Sequence, residues 1–269
     1  MLPSLSSSSI LLAAADAPPV EIIAPNATCP VLITGDHAGN AVPKALGGLG
    51  LPVGELNRHI GWDIGVAEVS RRLSARLNAT AVLARYTRLL IDPNRPLGEA
   101  DLIPLRSDGT DIPGNQGLTD DARRARIKDV YWPYHQTIDM QIARLQQMGQ
   151  VPVVLAMHSF TPALSSTGQP RPWHVGILYC ADNRLPRLLM AAFKARGDLV
   201  VGDNEPYSGI THGYGLKVHG IAHGLPHAEL EIRQDLIATP DGQQRWADLL
   251  AEILTPILAH PDLKRIEHH

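Results

Sequence analysis

The chain has 269 residues, 44% of them hydrophobic and 19% charged, and a formal net charge of -3. That length and apolar share suit one large α/β domain or two small ones and exclude a disordered chain. There is no basic excess to follow a phosphate backbone, and aromatics are only 4%, so nucleic acid is not an expected partner.

The chain opens on a Ser-rich stretch, residues 1–19, with a short apolar run from Ile10 to Ala15 but no Lys or Arg before it. A secretory signal needs a positive start and a longer apolar core, so a flexible leader and a cytoplasmic protein are expected. No run approaches the ~20 apolar residues that span a bilayer, so no membrane partner is expected. Two cysteines, Cys29 and Cys180, without a C-x-x-C pair, make neither a disulfide framework nor a cysteine zinc site.

Val31–Thr34 reads as a buried strand that ends in Gly35, Asp36, His37 and Gly39. Residues 62–77 predict an amphipathic helix: Ile64, Val66, Val69, Leu73 and Leu77 recur at helical spacing while Arg71, Arg72 and Arg76 fall elsewhere. Residues 80–92 read as strand. Residues 93–119, rich in Pro, Gly and Asp, predict a loop long enough to be functional. Thr119 caps a helix predicted to run to about Met148. Strands follow at 151–158 and 173–180, a helix at 184–197 stopped by Gly197, a strand at 225–236 and a closing helix at 241–258. Alternating strands and helices predict a mixed, mostly parallel sheet with helices on both faces. No composition break divides residues 20–260, which are expected to form one domain, with 261–269 as a tail.

Two strands end on histidine, at His37 and His158, and the strand at 225–236 alternates. Its Ala228, Leu230 and Ile232 face one way; His227, Glu229, Glu231 and Arg233 face the other. Ligands of open α/β sheets gather outside the carboxyl ends of the strands. Histidines and carboxylates arriving there from remote segments suit a catalytic zinc site, which uses three protein ligands and leaves one position for water. A histidine at a strand end also has an ordinary reading, as a hydrogen-bonded structural group. Asp63, near a helix start, is favoured there for the helix dipole alone, and His59 stands as an alternative ligand or a surface residue. Asn94 and Arg95 follow a strand directly. Arg95 is either a carboxylate fork or the structural partner of Asp92.

Eight stretches in order, GDHAGNAVP, HIGWDIG, RLLIDPNRP, DGTDIPGN, HSFTP, PWHVGILY, VGDNEPYSG and LPHAELEIRQDL, resemble the N-formylglutamate amidohydrolase family over roughly residues 20–258, as a side branch of it. The resemblance implies a zinc-carboxypeptidase-like fold and a zinc-dependent hydrolase of N-acyl amino acids. It makes His37 and His158 metal ligands and Glu231 the general base. A carboxypeptidase-like H-x-x-E motif would carry a glutamate ligand where this chain has Asn40, so Asp63, at a family acidic position, is taken as the third ligand. Asn94 and Arg95 would hold the substrate carboxylate and Arg88 would stabilise an oxyanion. Arg233, on the face of Glu231, joins the substrate contacts, and Glu229 would orient a ligand histidine. Two other readings remain: a metal-free small-molecule binding protein derived from such an enzyme, and hydrolysis by Ser159, whose surroundings lack the G-x-S-x-G elbow.

Overall fold

The computed structural model describes residues 10–163 and 168–269; residues 1–9 of the expected leader lie outside them. The strands are β1 (Val20–Ile23), β2 (Val31–Gly35), β3 (Thr80–Ala84), β4 (Arg106–Ser107), β5 (Thr110–Asp111), β6 (Val153–Phe160), β7 (Val175–Leu178), β8 (Val201–Asp203) and β9 (His227–Arg233). The helices are α1 (Val66–Leu77), α2 (Asp120–Arg126), α3 (Trp132–Gln147), α4 (Arg184–Arg196) and α5 (Pro240–Ile257). Seven strands form one sheet in the order β1-β3-β2-β6-β9-β7-β8, and β4 and β5 form a separate hairpin. The β1–β3 and β7–β9 pairs are antiparallel and the other four are parallel, which makes the sheet mixed and mostly parallel.

Both faces of the sheet are covered, as near-continuous apolar strands require. Successive side chains of a strand point to opposite faces. Val31 and Ile33 of β2 accordingly join the core made with α1, α4 and α5, while Leu32 joins the core under α3 with Val82 and Val154. A third cluster holds Leu89, Leu90 and Ile91 with Leu49, Leu102 and Tyr131, beside the strand ends.

The differences from the sequence reading have local causes. The strand expected over 80–92 stops at Ala84, because Leu89–Ile91 bury themselves in the third cluster instead of pairing. The helix expected from residue 62 begins at Val66, because Gly65 adopts a left-handed φ of 86° and Asp63 bonds back to the His37 carbonyl. The helix expected from Thr119 to Met148 is interrupted by a π-type turn at Ile127–Tyr131, just before Pro133, whose missing N–H removes a ladder bond. Thr119 caps α2 by accepting from the Ala122 N–H, and Gly197 ends α4 in the left-handed conformation. β1, β8 and the small hairpin were not anticipated; all are four residues or shorter. Residues 10–19 lie against the body: Leu11 and Leu12 pack on the third cluster, and Tyr86 donates to the Ala17 carbonyl at 2.7 Å. In the last segment, Leu263 is buried and the Arg265 carbonyl accepts from Arg184. No helix among the described residues is long and apolar enough to cross a membrane.

The β2 exit is a tight point of this frame. A Cβ on Gly39 would stand 2.1 Å from the Arg85 carbonyl oxygen. Backbone cannot give way cheaply there. Gly39→Ala is therefore expected to lower stability by about 1–3 kcal/mol, read as a lower urea midpoint with an unchanged m-value.

Candidate active site

β2 ends at Gly35, and the next two residues, Asp36 and His37, turn inward and are buried. The His37 ring is pinned on one side: its Nε2 lies 2.7 Å from Asp92 Oδ1. A carboxylate accepts, so Nε2 carries the proton and Nδ1 keeps its lone pair in the neutral ring. That Nδ1 is buried and has no hydrogen-bond partner. Asp92 is itself fixed, accepting from the Asn94 N–H at 2.9 Å and from Arg88 Nη2 at 3.0 Å.

Asp63 arrives from the turn before α1, held by its N–H to the His37 carbonyl at 2.8 Å. Its Oδ2 lies 3.6 Å from His37 Nδ1 and 2.9 Å from His158 Nδ1. It also accepts from the Ser159 N–H at 3.2 Å. His158 stands on β6 in register with Glu231 of the parallel neighbour β9. Its other nitrogen, Nε2, is 3.6 Å from Asp36 Oδ2 and 4.0 Å from Glu229 Oε2. The two imidazole rings meet edge to face at 5.0 Å.

This donor set fits a divalent metal. Ligands at ~2.0–2.1 Å from a tetrahedral zinc stand roughly 3.3 Å apart, and the separations of 2.9 and 3.6 Å bracket that value. One ligand atom from each of His37, Asp63 and His158 lies within 4.8 Å of the others, and all three residues are buried. His158, Glu229 and Glu231 satisfy the same criterion. Each imidazole has a carboxylate near its far nitrogen, Asp92 behind His37 and Asp36 with Glu229 behind His158, the usual support of a metal-bound histidine.

The electrostatics follow from crowding. Burial works against the His158 imidazolium, yet Glu229, Asp36 and Asp63 together hold its pKa well above the ordinary histidine value. Burial also opposes ionisation of Asp36, but His158, His37 and Tyr134 bring it down to about 2. Glu231 moves the other way. Burial pushes it up to about 8, Asp63 and Glu229 add to the shift, and His158 and Arg88 offset only part of it. Its Oε2 is buried without a partner.

A cleft of about 210 Å³ opens over these groups, and Asp63, Arg88, Asn94, Arg95, His158 and Glu231 are among its lining residues. His37 and Glu229 line it as well. Asn94 Oδ1 accepts from the Gly215 N–H at 2.9 Å, which leaves its amide NH₂ without that partner. Arg95 is steadied by Asp101 and by the Asn94 carbonyl.

Arg233 is not brought to the cleft. It sits at the last position of β9, where Asp235, two residues on, takes its guanidinium in two contacts of 2.8 and 3.2 Å. Asn40 is turned away as well, donating to the Leu56 carbonyl and to Asn57. His59 lines the cleft and pairs with Asp108 at 3.2 Å. Ser159 donates to the Ile64 carbonyl and has no imidazole partner, so its hydroxyl is not activated. The sequence offers Asp92 only as a partner for Arg95; nothing local in it shows that this carboxylate serves His37, 55 residues away. Tyr207 and Phe160 also line the cleft without having been singled out.

The family model described as N-formylglutamate amidohydrolase matches residues 29–238. Among solved structures, a gene product from Agrobacterium tumefaciens is 35% identical, covering 93% of this chain and 98% of its own, with a TM-score of 0.87. An N-formylglutamate amidohydrolase from Ralstonia eutropha JMP134 is 19% identical, covering 90% of this chain and 97% of its own, with a TM-score of 0.68, and shares the fold. No curated protein matches the chain.

The support of His37 by Asp92 has a measurable consequence. Asp92→Asn removes the charge that fixes the tautomer while keeping the shape. Metal affinity is expected to fall about 10- to 100-fold, measured by competition with a chromophoric chelator.

Proposed function

The chain belongs to the N-formylglutamate amidohydrolase family and is a hydrolase acting on amide bonds, and from that premise we propose a metal-dependent amidohydrolase that removes the acyl group from an N-acyl amino acid such as N-formylglutamate. The observation that carries the proposal is the unpartnered, buried Nδ1 of His37 beside Asp63 and His158. A lone pair left dry and unpaired among carboxylates is a ligand position more readily than a structural one.

His37, Asp63 and His158 would hold the metal, with Zn²⁺ as the expected ion. Bound there, a divalent cation supplies a Lewis acid that polarises the acyl carbonyl and lowers the pKa of a water toward ~7. The rest is the work of the chain. Glu231 takes the proton of the attacking water as its oxygen bonds to the acyl carbon. It then delivers that proton to the departing nitrogen as the C–N bond breaks, which yields the carboxylic acid of the acyl group and the free amine; the acid's remaining proton passes to the amine, leaving carboxylate and ammonium. A carboxyl lifted to about 8 by burial is suited to both transfers near neutral pH. Arg88, fixed by Asp92 and 3.7 Å from Asp63, directs its positive charge to the oxyanion. Asn94 and Arg95 hold the α-carboxylate and set the orientation of the scissile bond. Glu229 and Asp36 orient His158 from behind. The free state of Cys29 and Cys180 suits a cytoplasmic enzyme.

Two features disfavour a metal-free binding protein. Two imidazoles and a carboxylate stand together, and Asn40, which occupies the place of the H-x-x-E glutamate, takes no part in the set. Glu231→Gln separates the two. The variant is expected to keep its metal by elemental analysis and to lose about 10²- to 10⁴-fold in turnover of N-formyl amino acids. Turnover close to that of the unmodified protein would remove Glu231 from the mechanism.

A further inference from the structure

The reaction proposed above leaves two buried imidazoles unused. His135 stands on α3 and His219 in the turn Leu216–Gly220, and neither is among the residues that line the cleft. His135 Nε2 lies 3.1 Å from the Pro93 carbonyl oxygen, and its Nδ1 lies 2.8 Å from His219 Nε2. His219 Nδ1 is 2.9 Å from Asp139 Oδ1. Asp139 stands one turn along α3 from His135, with its carboxylate half exposed to solvent.

The proton positions follow from the two ends of this row. A carbonyl only accepts, so His135 Nε2 carries a proton. Burial and the neighbouring His219 lower the His135 pKa to about 4, so the ring is neutral and Nδ1 keeps its lone pair. His219 Nε2 therefore donates to His135. A carboxylate also only accepts, so His219 Nδ1 donates to Asp139. Each bond in such a row polarises the next.

The row ends on a peptide group that already serves the site. The Pro93 carbonyl and the Asn94 N–H belong to one planar unit. That N–H donates to Asp92 Oδ1 at 2.9 Å, and the same oxygen accepts from His37 Nε2 at 2.7 Å. Hydrogen bonds and one peptide group thus link the surface at Asp139 to the imidazole of His37. Gly215, next to the turn that carries His219, holds the Asn94 side chain as well. Satisfying one buried carbonyl needs a single donor. Two buried imidazoles and a carboxylate do more: they fix the tilt of the Pro93–Asn94 peptide, and with it the place of Asp92 Oδ1.

We propose that His135 and His219, anchored on Asp139, are positioning residues for the metal centre: through the Pro93–Asn94 peptide they set Asp92 against His37 and so strengthen metal binding. This rests on the metal-dependent reading of the site and adds to it residues that touch neither metal nor substrate.

Zinc affinity of the full chain, read by competition with a chromophoric chelator in a double-mutant cycle, tests the link. His135→Phe is expected to weaken zinc binding about 10-fold, the lower end for groups that stand behind a ligand. In Asp92→Asn the link is already cut, so adding His135→Phe should change the affinity by less than about 2-fold. Asp139→Asn keeps every buried side chain and carries the test if the phenylalanine variant does not fold. Its loss of about 2- to 5-fold should likewise vanish behind Asp92→Asn. Losses that add in the double variants, as a purely structural role would give, or the absence of any loss in the single ones, overturn the proposal. A second readout needs no metal. In the metal-free protein the Asn94 amide proton, read by NMR, should move upfield in Asp139→Asn as its bond to Asp92 weakens. That shift supports the link even if the unmodified protein binds no zinc, in which case the metal-dependent reading alone fails. An Asn94 amide proton that does not move overturns the proposal.

Discussion

The arrangement depends on one confinement of charge. Asp36, Asp63, Asp92, Glu229 and Glu231 share a buried space with two imidazoles, and among the described residues Arg88 is the guanidinium that forms ion pairs with them. Carboxylates taken out of water are costly unless they are paired. The chain pairs them as far as it can: His158 is drawn toward protonation, and Glu231 is pushed toward its neutral acid. Both shifts report a surplus of negative charge at one point. A divalent cation held by His37, Asp63 and His158 would relieve that surplus and take the place of the proton on the imidazole.

The fold exists, in this respect, to make the surplus possible. Parallel strands β2 and β6 end side by side, and β9 runs parallel to β6 in a register that puts Glu231 level with His158. Apolar side chains from these strands fill the cores, and the site's polar groups stand at the strand ends and on the face of β9 opposite Leu230 and Ile232. Gly39 lets the chain pass against the Arg85 carbonyl immediately after His37. The long segment after β3 then returns with Asp92, Asn94 and Arg95, and its own hydrophobic cluster makes that return rigid. His37, Asp92, Asn94 and Arg95 therefore come from one strand end and one loop packed against it.

Much of this was legible in the sequence because it is periodic or adjacent. The run Val31–Thr34 leading into His37, and the alternation that separates Glu229 and Glu231 from Leu230 and Ile232, are strand patterns that need no tertiary knowledge. The run at 80–92 misled because buried apolar residues look alike whether they pair in a sheet or fill a loop. Arg233 shared the strand parity of Glu231, but parity cannot show that Asp235 intercepts its side chain at the strand end. Asp92 as the support of His37, and His135 bonded to His219, are contacts between segments remote in the chain. Residue type alone does not reveal such pairings; the folded geometry does.

The central claim is that His37, Asp63 and His158 together form one metal centre. Metal analysis of the purified protein, joined to X-ray absorption at the metal edge, tests it most directly. One divalent ion per chain is expected, bound by two imidazoles and a carboxylate at ~2.0–2.2 Å, with an imidazole signal that falls by half in His158→Ala. A protein that binds no ion after exposure to excess zinc, or one whose bound ion keeps both imidazoles in His158→Ala, would contradict it.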